Sequence, residues 1–241
     1  ANLTSRSSTP VISYTTTVAN PEPLRLASDD TFNGKQWTPS TGPLSRRQKV
    51  QDGLPGAPGL NSSVSRRDSE TRIAVGQLGE TYLPLPYPTT RVEITGRWLW
   101  EKSSLNVVGD GQKITGATYT AFHQTLSPTP EQLRAAPAAP DEIREKYLAL
   151  PTGLSPEIGR LAAQVAPDGT AYDKALALQG YLRGSGRFTY SEKAPSDGDD
   201  SGQDAILAFL TVRRGYCVHF ASTMAVMART LGIPSRVGVG F

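Results

Sequence analysis

The chain holds a single cysteine, Cys217, and two histidines, His123 and His219. One thiol cannot form an intrachain disulfide, and it excludes a zinc site built on two or more cysteines. Two imidazoles so far apart in sequence argue against a histidine-rich metal site, so no metal or cofactor is expected. Any chemistry then centres on Cys217, which sits in Arg214-Gly215-Tyr216-Cys217-Val218-His219-Phe220-Ala221. The spacing predicts a helix from Cys217 to Leu231, closed by Gly232 and followed by Pro234. At about 100° per residue, Ala221, Met224, Ala228 and Leu231 fall on the side of Cys217. His219, Ser222, Thr223, Arg229 and Thr230 fall opposite. The thiol is therefore expected on the apolar face, in the first turn, pointing toward the interior. There the helix dipole and the free N–H groups favour a thiolate. Two readings stand at this point: a small buried hydrophobe, or a nucleophile that gains from its position. His219 is not expected to be its base, because it faces the other side of the helix.

Other candidates carry less. Asp197, Asp199, Asp200 and Asp204 form an acidic loop. Their spacing departs from the order of calcium ligands in an EF-hand, and no closing Glu follows, so an exposed loop is expected. Trp98 and Trp100 alternate along a strand and share one face, which reads as core-facing rather than as a binding platform. His123 reads as a strand surface residue. Arg236 reads as an ion-pair partner behind the Cys217 helix. Tyr216 reads equally as a shaper of a cleft and as packing.

The elements that must position Cys217 change character near residue 130. Before it, β-branched and aromatic runs alternate with turn signals. Strands are expected in Val11–Val18, Leu24–Leu26, Arg72–Val75, Tyr82–Leu85, Arg91–Thr95, Trp98–Trp100, Asn106–Val108 and Ala117–Gln124. Asn33-Gly34 and Asp110-Gly111 mark hairpin turns. Residues 38–70, rich in Gly, Pro and Ser, are expected to form a long loop, mobile at its tip and with few buried side chains. Residues 1–126 thus read as an all-β module and 127–140 as a proline-rich linker. Residues 141–241 then carry helices. Ser155-Pro156-Glu157 starts one, and Thr170-Ala171-Tyr172-Asp173 resembles a capping box for the next. The fold class expected is α+β.

The composition bounds the partners. Of 241 residues, Lys and Arg number 25 and Asp and Glu 22, a net charge of +3. The basic pairs Arg46-Arg47 and Arg66-Arg67 lie in loop-like sequence, so no nucleic acid partner is expected. No stretch reaches the roughly 18 apolar residues of a membrane span.

The segment from Gly215 to Ser222, with Ala228-Arg229-Thr230-Leu231-Gly232-Ile233-Pro234-Ser235-Arg236-Val237, resembles the core motif of the transglutaminase-like superfamily. That motif is a Gly-x-Cys at a helix start, a Phe-Ala pair, and a Leu-Gly-Ile-Pro-x-Arg exit into a strand. Leu24–Trp37 and Tyr82-Leu83-Pro84-Leu85-Pro86 are similar to the extracytoplasmic region of bacterial membrane-anchored members. The resemblance implies a papain-like core and a Cys–His–Asp triad with Cys217 as nucleophile. It also implies acyl transfer or amide hydrolysis on protein or peptide substrates, outside the cytoplasm. In the family the triad His and Asp follow the Cys helix on later strands. Phe241 falls in the first of these, so this piece is expected to lack both and to be inactive by itself. The alternative is a non-catalytic β-domain scaffold or binding module of the cell envelope.

Overall fold

The structure, a computed structural model, describes residues 10–39, 42, 44–184, 186–192 and 201–241. The strands and helices follow in chain order. They are β1 (Ile12–Thr16), β2 (Arg25–Asp29), β3 (Thr31–Phe32), β4 (Trp37–Thr38), β5 (Ser65–Val75), β6 (Thr89–Glu93), β7 (Trp98–Trp100), β8 (Val107–Gly109) and β9 (Thr118–Ser127). Then come α1 (Pro130–Arg134), α2 (Asp141–Tyr147), α3 (Pro156–Val165), α4 (Ala171–Gln179), β10 (Thr189–Tyr190), α5 (Gln203–Val212), β11 (Arg214–Gly215), α6 (Cys217–Thr230) and β12 (Val237–Gly240). Strands give way to helices where the composition changes, and the fold is α+β. Two compact units form. One takes the described residues of 29–40 and 130–237, the other those of 5–28, 41–129 and 238–241.

The β-rich unit is built on a four-stranded sheet of order β1-β5-β9-β6, antiparallel throughout. Its longest ladder pairs Ser65–Ala74 with Ser127–Thr118. Sequence placed the start of β5 at Arg72, seven residues late. Ser65–Asp68 are exposed, so no apolar alternation marks them, and the β9 backbone recruits them instead. Ile73, Tyr119, Ala121 and Val92 from the sheet meet Val50, Leu83, Val107 and Ile114 in one core. Each large side chain fully buried there is worth roughly 1.5–3 kcal/mol. Trp98 is buried and Trp100 packs against the same core, as their alternation predicts.

Three expectations need correction in this unit. Tyr82–Leu85 makes isolated bridges to Val108 and Arg25 rather than a strand. Pro84 and Pro86 have no N–H to offer a ladder, and the run is held by the Tyr119 hydroxyl, which donates to Pro84 O at 2.6 Å. The long loop is not free of buried side chains. Val50 is fully buried, Leu54 packs on the core, and the Leu54 N–H donates to Thr90 O at 2.8 Å; positions 40, 41 and 43 lie outside the described residues. His123 is buried, not on the surface. Its Nε2 lies 2.9 Å from Thr71 Oγ1, which lies 2.8 Å from Thr16 Oγ1, so a hydroxyl chain ties β9, β5 and β1. At the other end of the unit, β12 pairs with β2, and Leu24 and Phe241 exchange backbone hydrogen bonds at 2.8 and 2.9 Å. A Cβ at Gly240 would run into the Leu24 carbonyl oxygen, so this pairing requires glycine.

The helical unit follows its caps. Ser155 Oγ accepts from the Glu157 N–H ahead of α3. Thr170 and Asp173 form the reciprocal capping box of α4. The short α1 lies within the stretch whose prolines suggested a linker, and its Arg134 pairs with Asp173 at 2.8 Å. Beyond Gln179, Gly180–Gly184 widens into a π turn. Ile158, Ala162, Leu178, Ile206, Val226 and Met227 form the core, closed by Phe32 and Trp37 of the β3–β4 hairpin. Asn33 Oδ1 caps that hairpin by accepting from the Lys35 and Gln36 N–H groups at 2.9 Å. The Gly34 carbonyl accepts from the Gln203 N–H at the start of α5. No helix among the described residues is long and apolar enough to cross a membrane.

Candidate active site

Cys217 occupies the first turn of α6, after a turn that the sequence makes unusually tight. A Cβ at Gly215 would lie 2.8 Å from the Phe209 ring and 3.0 Å from His219. Only glycine lets those two rings close on the chain one residue before Tyr216. β11, which ends at Gly215, pairs in parallel with β10 and sets Tyr190 opposite Gly215. The Ser191 N–H donates to Gly215 O at 2.7 Å and fixes this register. The result is that Tyr190 stands beside Cys217.

The thiol is exposed. This reverses the inward orientation expected from the wheel, which assigned faces by polarity alone. The buried side of α6 instead holds His219, Ser222, Thr223 and Arg229, and most of their polar atoms are paired. Ser222 Oγ accepts from the Trp37 indole at 2.8 Å and donates to Ser201 O at 2.6 Å. Arg229 donates to the carbonyls of Asp30, Ala149 and Ser235 and stacks over Trp37 at 4.6 Å. Burial pulls its pKa down to about 10 against the opposing charge of Asp30. Thr223 Oγ1 alone among them is buried without a partner. Polar residues thus line the core side because carbonyls and hydroxyls await them there.

His219 caps its own helix. Its Nδ1 accepts from the Tyr216 N–H at 3.3 Å, one of the first-turn donors no helical carbonyl can reach. The ring is buried against Tyr216 and Phe209, at 4.5 and 5.8 Å between centroids. Tyr216 is buried too. Asp204 lies in the first turn of α5; Asp197, Asp199 and Asp200 lie outside the described residues. No group of three or more potential metal ligands occurs among the described residues. Arg236 lies over the Tyr147 ring at 5.8 Å.

The open face of α6 borders a cavity of about 550 Å³. Cys217, Phe220, Ala221 and Met224 supply one wall, and Leu182, Phe188 and Tyr190 another. Phe188, Phe209 and Phe220 interlock behind it, with Tyr190 stacked on Phe220 at 6.3 Å. Gln179 and Arg183 complete the lining from α4 and the π turn. Tyr190, Gln179 and Arg183 are residues that sequence reasoning passed over. The Phe188-Thr189-Tyr190 triplet, aromatic at period two, was the visible signal for the first. Loss of solvation, followed by the negative charge of a Cys217 thiolate, pushes the Tyr190 phenol above its ordinary range, while the Cys217 N–H acts in the opposite sense. The Tyr190 hydroxyl therefore feels both the backbone and the thiol of Cys217. An accessible thiol, helix N–H groups and a phenol meet at one edge of an apolar cavity, an arrangement suited to nucleophilic attack on a carbonyl.

Comparison with known proteins bears on the family and the fold. A model of the TgpA N-terminal domain matches residues 1–130, and one of the transglutaminase-like superfamily core matches residues 159–241. The uncharacterized protein YebA of Bacillus subtilis is 25% identical over 236 residues, covering 90% of this chain and 31% of that protein. A protein-glutamine gamma-glutamyltransferase of Pseudomonas aeruginosa is 32% identical over 117 residues, covering 48% of this chain and 17% of that protein. The chain thus spans a third or less of these curated relatives. The crystal structure of the periplasmic domain of TgpA from Pseudomonas aeruginosa superposes with a TM-score of 0.68. The superposition covers 98% of this chain and 75% of that one at 19% identity, which is a likeness of fold. With one model covering the β-rich sequence and the other the segment that holds Cys217, the chain belongs to the TgpA N-terminal domain family and carries a transglutaminase-like core segment.

Proposed function

We propose that this chain is the nucleophile-bearing part of a bacterial, membrane-anchored, extracytoplasmic transglutaminase-like enzyme acting on proteins or peptides. The observation that carries the reading is the exposed Cys217 thiol at the α6 N-terminus, beside Tyr190 and an apolar cavity. The thiolate attacks a carboxamide carbon, and the tetrahedral oxyanion is held by N–H groups of the first turn. Collapse expels the protonated amine and leaves a thioester. An incoming amine or water then takes the acyl group and returns the thiol. The name of the periplasmic relative supports the compartment, and that of the glutamyltransferase supports the reaction class. Residues 141–241 would belong to the catalytic core and 1–126 to the β module before it.

Nucleophile activation requires a base. His219 is committed to its cap and His123 to the hydroxyl chain of the β sheet. The 241 residues by themselves are therefore expected to show negligible turnover. Amine incorporation and amide hydrolysis are to be assayed on this chain and on a longer one, each with and without Cys217→Ala. The reading expects activity in the longer chain alone, abolished by Cys217→Ala. Activity of the short chain lost on Cys217→Ala would refute its incompleteness. Activity of the long chain surviving Cys217→Ala would refute Cys217 as nucleophile.

A further inference from the structure

The two edges of the four-stranded sheet in the β-rich unit are finished differently. On the β6 side the ladder shifts register between Thr89 and Arg91, and the Arg91 and Glu93 side chains are exposed. The Thr90 carbonyl there already accepts from the Leu54 N–H. Bulges and charges of this kind stop a sheet edge from adding strands. The β1 side has none of these devices. Residues 11–18 hold no charge, no proline and no glycine. Among the described residues β1 pairs with β5 alone, in unbroken register.

The parity of the ladder shows which groups are open. The Gly76 N–H donates to Val11 O and the Thr17 N–H to Glu70 O, at 2.8 and 3.1 Å, so the odd-numbered residues face β5. Alternate residues of an antiparallel ladder turn their N–H and C=O the other way. Those of Ile12, Tyr14 and Thr16 therefore face outward. The open stretch is bounded: Pro10 has no N–H, and the Val18 N–H donates to Thr16 Oγ1 at 3.2 Å. Tyr14 stands opposite Ile73 on the core face; Ile73 is 1% exposed and Tyr14 46%. The apolar face of the sheet thus ends on a half-exposed aromatic ring.

We propose that β1 is a self-association edge, to which a second copy of this chain adds its own β1, antiparallel, about a two-fold axis through Tyr14. Ile12 meets Thr16 across the axis, Ser13 meets Thr15, and Tyr14 meets its own copy. This register uses all three outward residues, and each pair exchanges two backbone hydrogen bonds. An axis at Ile12 would set Tyr14 against Pro10, and one at Thr16 would set it against the occupied Val18 N–H. A second copy is favoured because the edge complements itself: no like charges meet within it, and the two exposed rings form a cross-strand aromatic pair. A contact this short stays below the roughly 1,200 Å² of stable complexes, so the association is weak and rises with concentration. It stands apart from the reading of Cys217.

The test is cross-linking by register, with Cys217→Ala as the background. At Tyr14→Cys the Cα atoms across the axis lie about 5.5 Å apart, inside the roughly 4.4–6.8 Å that a disulfide spans. At Ser13→Cys or Thr15→Cys alone they lie roughly 7–8 Å apart. Oxidised glutathione accepts the two electrons and two protons and leaves as two reduced molecules. Tyr14→Cys is expected to form dimer at least about tenfold faster than either neighbour alone. A mixture of Ser13→Cys and Thr15→Cys chains is expected to form the mixed dimer. With Cys217→Ala alone, the mean mass in sedimentation is expected to rise with concentration. Tyr14→Lys sets two ammonium groups together on the axis and is expected to hold the chain monomeric with an unchanged unfolding midpoint. Removal of residues 1–9 is expected to leave the Tyr14→Cys dimer in place. Equal rates at positions 13, 14 and 15, or no dimer at any concentration, would overturn the proposal. A dimer seen only after residues 1–9 are removed would overturn it too, and assign the edge to this chain's own segment.

Discussion

Trp37 and Ser222 are joined by a buried hydrogen bond of 2.8 Å across 185 residues of sequence. The indole N–H donates to Ser222 Oγ, which itself donates to Ser201 O. Ser222→Ala removes the acceptor and leaves a buried indole N–H unpaired. The expected loss is about 1–3 kcal/mol, read from urea unfolding. Ser222→Thr keeps the hydroxyl and is expected to recover part of the loss. A Ser222→Ala protein as stable as the parent would show that the bond is not formed.

Gly215→Ala places a methyl group against the Phe209 and His219 rings. Overpacking of this kind costs about 1–3 kcal/mol. Because the same rings fix the start of α6, the rate of Cys217 alkylation is expected to change together with the unfolding midpoint. A stability loss with an unaltered alkylation rate would show that Gly215 does not position the thiol.

His219→Phe keeps a ring between Phe209 and Tyr216 but removes the acceptor of the Tyr216 N–H. Stability is expected to fall by about 1–3 kcal/mol, while the pH profile of Cys217 alkylation stays in place. A shifted profile would assign His219 an electrostatic role toward the thiol.

Two titrating groups pull stability in opposite directions. Burial holds the His123 imidazole below its ordinary 6.5, so the native state binds fewer protons than the unfolded one. Its contribution is intact above pH 6.5 and is lost as pH falls below that value. Burial first, and the neighbouring Asp30 charge second, raise the Asp29 carboxyl from 3.8 to about 6. There the native state binds the proton more tightly, and the contribution present below pH 3.8 is lost as pH rises to about 6. Urea midpoints across this range are expected to decline less on the acid side in His123→Gln. In Asp29→Asn the loss between pH 3.8 and about 6 is expected to disappear. Parallel curves for parent and variants would contradict both assignments.

Local signals were legible wherever one residue's chemistry settles the backbone. Asn33-Gly34, Ser155-Pro156, Thr170 with Asp173, and Leu231-Gly232-Ile233-Pro234 each mark their turn or cap within a residue. The Gly-x-Cys motif is explained by the two rings that close on Gly215. What sequence could not show depended on distant partners. The wheel of α6 misjudged its buried side because Ser222 and Arg229 meet carbonyls from other segments. Ser65–Asp68 joined the sheet because β9 lay alongside. Tyr190 became part of the site through a two-residue parallel pairing too short for any periodicity to reveal.

The β3–β4 hairpin also constrains biosynthesis. Trp37 leaves the ribosome 185 residues before Ser222 does, and Phe32 earlier still, a lead of roughly 10–40 s at ordinary elongation rates. For most of that interval two aromatic side chains destined for the core of the helical unit have no helix of it to cover them, and α6 completes their cover last. A nascent chain stalled before α6 should be bound by hydrophobic-surface chaperones at this hairpin and released from them once Ser222 has been made.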